Sequence, residues 1–158
     1  MENSDIYASH LEARSELMKM QKCGGAMINP FVFYNIILIN LSEEEKNNYN
    51  QLTFAREIAT TFCAICNEYY IIYCNEHQPK TEFYITEDRW AKYFISSTSR
   101  DISIKFLQRI GLIACDTKTI PPDNKSVTTY KIKLETLQSY RRMAEEYYKS
   151  ERAKRIPE

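Results

Sequence analysis

The 158-residue sequence predicts an α+β domain that is mostly helical, and three observations lead there. Several stretches repeat apolar residues at three- and four-residue spacing, the period of a helix packed on one side. Two segments, 112–120 and 128–134, are β-prone or alternate apolar with polar residues. Between them Pro121, Pro122, Asp123, Asn124 and Lys125 form a polar turn cluster.

In chain order, residues 4–22 read as a helix with Leu11 and Met18 on a weak apolar face, ended by Gly24 and Gly25. Asn29 and Pro30 open PFVFYNIILINL, and proline suits a first helical position. This run is apolar nearly all round and therefore buried; a helix is preferred to a strand. Ser42 with Glu45 has capping-box spacing, and residues 43–45 place three carboxylates at a helix start. Leu52, Ile58, Phe62, Ile65 and Tyr69 give the seam of a long helix over about 50–74. Asn75, His77 and Pro79 mark a loop, and residues 83–85 a short first strand.

The next segment is a helix pair. Thr86 is placed as an N-cap, with Glu87 and Asp88 where the helix dipole favours negative charge. Trp90, Tyr93 and Phe94 then make an apolar stripe. Ser96 and Ser97 break it and are suited to cap a second helix. In that second helix Ile102, Phe106 and Ile110 cluster on one side, with Leu107 beside them. Asp101, Ile104, Lys105 and Gln108 fall opposite, Arg100 and Arg109 lie on the flanks, and Gly111 stands at the C′ position. A polar helix face of this composition can enter a DNA major groove: Gln108 suits adenine, Asp101 cytosine, and Ile104 a thymine methyl. Ser97, Thr98 and Ser99 at the helix start are suited to donate to phosphate. The bland alternative is an ordinary solvated helix face.

The order helix, turn, helix, GLI, strand, polar tip and a strand ending in TTYKI resembles the winged helix-turn-helix superfamily, on SSTSRDISIKFLQRIGLI and VTTYKIKL. It is most similar to modules in replication, transfer and regulatory proteins of bacterial plasmids, phages and other mobile elements. The resemblance implies double-stranded DNA contact by the second helix and by the wing, at Lys118, Asn124 and Lys125. It divides the chain into an N-terminal extension (1–28), a winged-helix domain (29–134) and a C-terminal helix and tail (135–158). Within the domain the helix-turn-helix covers about 86–111 and the wing about 112–134. In the C-terminal helix Leu137, Tyr140, Met143 or Ala144, and Tyr147 form a stripe, which invites packing on the N-terminal helices or a homodimer through the terminal helices.

Net charge is zero but unevenly distributed. Residues 1–79 carry five basic and ten acidic groups, residues 80–134 ten basic and six acidic, and the remainder six basic and five acidic. The helix pair and ribbon are thus the positive part, as phosphate binding requires. No apolar run has the length of a membrane span. The polar, acidic start MENSDIYASHLEARSE is unlike a secretion signal, and five cysteines read as reduced thiols, so a cytoplasmic protein is expected.

Cys63, Cys66, Cys74 and His77 have C-x2-C-x7-C-x2-H spacing, open to tetrahedral zinc or to buried thiols in a helix seam. No glycine follows Cys66 to make a knuckle turn, and buried thiols are preferred, without metal or cofactor. His10 and His77 lack a neighbouring nucleophile motif, and Gly24-Gly25 is not a phosphate-cradling loop. The expectation is a non-catalytic DNA-binding protein. A non-catalytic protein-interaction module using the Tyr-rich helices, with twelve tyrosines in the chain, is the competing class.

Overall fold

The computed structural model describes residues 31–75 and 82–155. The expected N-terminal helix, Pro30, His77 and the side chain of Cys74 lie outside what is described. The rest is mostly helical with a small antiparallel sheet: α1 (Phe31–Ile39), α2 (Glu43–Asn48), α3 (Gln51–Asn75), β1 (Phe83–Tyr84), α4 (Glu87–Ala91), α5 (Ser97–Arg109), β2 (Ile113–Ile120), β3 (Lys125–Ile132) and α6 (Leu134–Arg155). Among these described residues no helix is long and apolar enough to cross a membrane.

The apolar run after Pro30 is a helix, and Phe33, Ile36 and Ile37 bury its inner side at three- and four-residue spacing. The next helix starts as its sequence dictates. The Ser42 hydroxyl accepts from the Glu45 amide at 3.1 Å and Glu45 Oε1 accepts from the Ser42 amide at 2.8 Å, so two orphan donors are satisfied reciprocally.

The central post is α3, against which α1 and α5 both pack. From Thr61 to Tyr69 every side chain is buried, so polar ones must find partners or stand alone. Phe62 packs on Phe33 with ring centres 4.6 Å apart, and Phe54 meets Phe106 edge-on at 5.9 Å. Such pairs add about 1 kcal/mol each beyond their area burial. Leu52, expected in the seam, is 64% exposed; the inner side begins at Phe54 and Ala55 because the helix has only just started at Gln51.

The expected short first strand is β1, paired with β3, while β2 and β3 form a hairpin; the sheet order is β1-β3-β2. Tyr130 and Ile132 face the core, and Tyr130 meets both Phe83 and the edge of Trp90 at 6.1 Å. Further out the alternation shifts: Thr129, next to buried Tyr130, is also buried and Thr128 is exposed, and the Thr129 hydroxyl turns to Glu82 and the Asp116 carbonyl.

Two apolar expectations in the helix pair are corrected. The first helix ends at Ala91, so Phe94 leaves the stripe; it has a φ of 55° and is 96% exposed. In α5 the buried stripe is Ser103, Phe106, Leu107 and then Ile110, and Ile102 is partly exposed instead. Both registers fit Phe106, one at i+3 and the other at i+4. Ser103 tolerates the inner side because its hydroxyl donates back to the Ser99 carbonyl at 2.7 Å. Helix α6 buries Leu137 and Ala144, not Met143, and Tyr140 donates to the Ile110 carbonyl at 2.7 Å.

Candidate nucleic-acid interface

The inner stripe of α5 sets what its outer side offers. With Phe106 and Leu107 sunk against the core, Asp101, Lys105 and Gln108 must point outward, and all three are exposed. The β2–β3 hairpin rises beside them. Between helix and hairpin runs a groove of about 590 Å³. Arg100, Asp101, Ile104, Lys105 and Gln108 line one wall, and residues 120–121, Asp123 and residues 125–128 line the other. Trp90, Cys115 and Tyr130 form the floor, and residues 84–87 close one side. Ile104, expected fully outward, is half-buried and packs against the core from within the groove.

The start of α5 is capped by Ser96, whose hydroxyl accepts from the Ser99 amide at 3.1 Å. Ser97 and Thr98 are exposed on the first turn and Ser99 is half-buried. These hydroxyls and the positive end of the helix dipole favour an anion there. The far end of α5 closes as predicted: Gly111, with a φ of 76°, donates to the Gln108 carbonyl, and Leu112 donates to that of Leu107, both at 3.0 Å. That double return satisfies the last carbonyls and aims the chain into β2. At the hairpin tip Asn124 has a φ of 50°, a conformation asparagine accepts more readily than most residues, and Lys125 begins β3 opposite Ile120.

The cations are less available than the sequence suggests. Arg100 donates twice to the Glu87 carboxylate, 3.1 Å in each case, and its guanidinium lies 5.1 Å from the centre of the Trp90 ring. Arg109 pairs with Glu45 and lies over the Phe106 ring. Lys118 pairs with Glu82, which holds the lysine above its ordinary pKa and the carboxyl below its own. Lys105 and Lys125 are exposed with no ion pair among the described residues. Within the groove Arg100, Lys105 and Lys125 are matched by Glu87, Asp101 and Asp123, so its formal charges cancel.

The three pairing glutamates escaped the sequence reading. Glu45 and Glu87 already had explanations as helix-start residues, and the separations of 64 and 36 residues in two of the pairs leave no local signal.

Cys63 and Cys66 are buried, and burial pushes Cys63 up to about 12 and Cys66 upward as well. Among the described residues no group of three or more His, Cys, Asp or Glu is gathered to hold an ion. No protein-family model, curated protein or solved structure matches the chain.

Proposed function

We propose that this chain is a winged helix-turn-helix protein that binds double-stranded DNA, with the outer side of α5 in the major groove and the β2–β3 hairpin as the wing against the backbone. One observation carries the reading: Asp101, Lys105 and Gln108 on α5 and Lys125 and Ser126 on the hairpin line a single open groove. The order of α4, α5 and the β2–β3 hairpin supports that reading. Gln108 is placed to read adenine, Lys105 and Lys125 to meet phosphate, and the hydroxyls of Ser97 and Thr98 to anchor the strand at the helix start. A role in replication, conjugative transfer or gene regulation of a bacterial mobile element follows from the same resemblance.

The test is a salt-titrated shift assay on duplexes enriched from a random pool by the wild-type protein. Lys105→Ala with Gln108→Ala should leave the fold intact, since both side chains are exposed. Loss of one bidentate base pairing costs about 1–3 kcal/mol of binding, and loss of one phosphate contact lowers the salt slope by about one. Unchanged affinity of the double variant would remove the proposal. A protein-interaction module is the second reading. The cancelling charges of the groove favour it, as do Met143, Tyr147 and Tyr148, which stand about half exposed on α6. Under that reading Tyr147→Ala, not the groove variant, changes binding to other proteins.

A further inference from the structure

We infer that Glu45, Glu82 and Glu87 are specificity-determining residues of this face: they occupy Arg109, Lys118 and Arg100 so that a duplex is held only where base-edge contacts from α5 add to phosphate attraction. This rests on the DNA-binding reading above. The three pairs join different segments: Glu87 of α4 to Arg100 of α5 within the lining of the groove, and, outside that lining, Glu45 of α2 to the end of α5 and Glu82 to β2. The Glu87 oxygens engage both terminal nitrogens of Arg100, the fork geometry that also fits a phosphate. Arg109 is held by the Asn40 carbonyl as well as by Glu45, and Glu82 accepts from Thr129 besides Lys118.

Ion pairs this exposed contribute little to stability. Their larger effect is on the potential of the face. A cation already neutralised by a carboxylate is not free to neutralise a phosphate and release the counterions condensed on DNA, so it adds little to salt-dependent, sequence-blind attraction. Within the groove the cations left are Lys105 and Lys125, opposed there by Asp101 and Asp123. Such a surface holds a generic duplex weakly, and the readout side chains then account for most of the discrimination.

The experiment compares wild type with Glu45→Gln/Glu82→Gln/Glu87→Gln on two probes, a mixed-sequence duplex and the duplex enriched by wild type. Glutamine at 45 keeps an acceptor for the Ser42 amide, so the cap survives. Glu145→Gln/Glu146→Gln/Glu151→Gln is the control, since it changes net charge equally on α6, which contributes no lining residue to the groove. The triple variant should bind the mixed duplex more tightly, with a log K against log salt slope steeper by about two to three. Its preference for the enriched duplex should fall by about tenfold. A slope and preference equal to the control's would overturn the inference. If Lys105→Ala/Gln108→Ala still weakens wild type in that case, the DNA reading stands and only the role of the glutamates falls. If wild type enriches no duplex and neither protein binds the mixed one, both fall together. Should the triple variant not fold, Glu82→Gln and Glu87→Gln taken singly must each steepen the slope by about one.

Discussion

Thr61 shows what a fully enclosed helix demands of one side chain. It is 0% exposed, and its hydroxyl has no hydrogen-bond partner among the described residues. An unmet buried hydroxyl costs about 1–3 kcal/mol. Thr61→Val keeps the shape and removes the unmet group, so it should raise stability by about 1 kcal/mol, read as a higher midpoint in urea. Gly111 is the opposite case, a residue required by its backbone. A Cβ there would meet nothing closer than Thr136 Cγ2 at 3.8 Å, yet the φ is 76°. Gly111→Ala should therefore destabilise by about 1–2 kcal/mol through backbone strain alone, with unchanged packing in the near-ultraviolet spectrum. Phe94 holds a similar conformation without glycine's freedom. Tyr93, bonded to Glu68, and Ser96, capping α5, pin the chain on either side of it.

Among the elements, α4 depends most on a single buried group. Glu68 of α3 is 4% exposed and accepts two bonds from Arg89, at 3.0 and 2.8 Å, and one from the Tyr93 hydroxyl at 2.7 Å. Five residues of helix cannot hold their own orientation, so this network sets where the pair begins. Glu68→Gln keeps the volume but leaves Arg89 without a counter-charge. It should cost about 1–3 kcal/mol, moderated because Arg89 reaches water, and the loss should appear as faster amide exchange in α4 than in α6. Here the sequence was only partly legible. The caps at Ser42, Thr86 and Ser96 and the glycine stop at 111 were readable, because each acts within three or four residues. The true inner stripe of α5 was not, since Ile102 and Ser103 fit the period equally and the docking of the helix chose between them.

For the molecule as a whole, alkaline pH tests the burial of the core. Cys63 is held up at about 12, Cys115 at about 11 and Tyr130 at about 12, in each case chiefly by burial, from ordinary values of 9.0 for the thiols and 10.0 for the phenol. A group raised on folding favours the native state while it is protonated in both states. That contribution is complete below the unfolded value and is lost as pH rises through the folded one. The melting temperature should thus hold steady up to about pH 9 and fall progressively above it, and Cys63→Ala should lessen the decline. A steeper fall between neutrality and pH 9 would contradict the assignment.

Chain composition and spacing were enough to establish a mostly helical α+β domain, its caps and turns, and a polar helix beside a ribbon, because these follow from periodicity and neighbours a few residues apart. Folding in three dimensions decided which cations of that surface stay unpaired. The partners of Arg109 and Lys118 come from 64 and 36 residues away, and electrostatic energy depends on distance in space, which linear order does not encode.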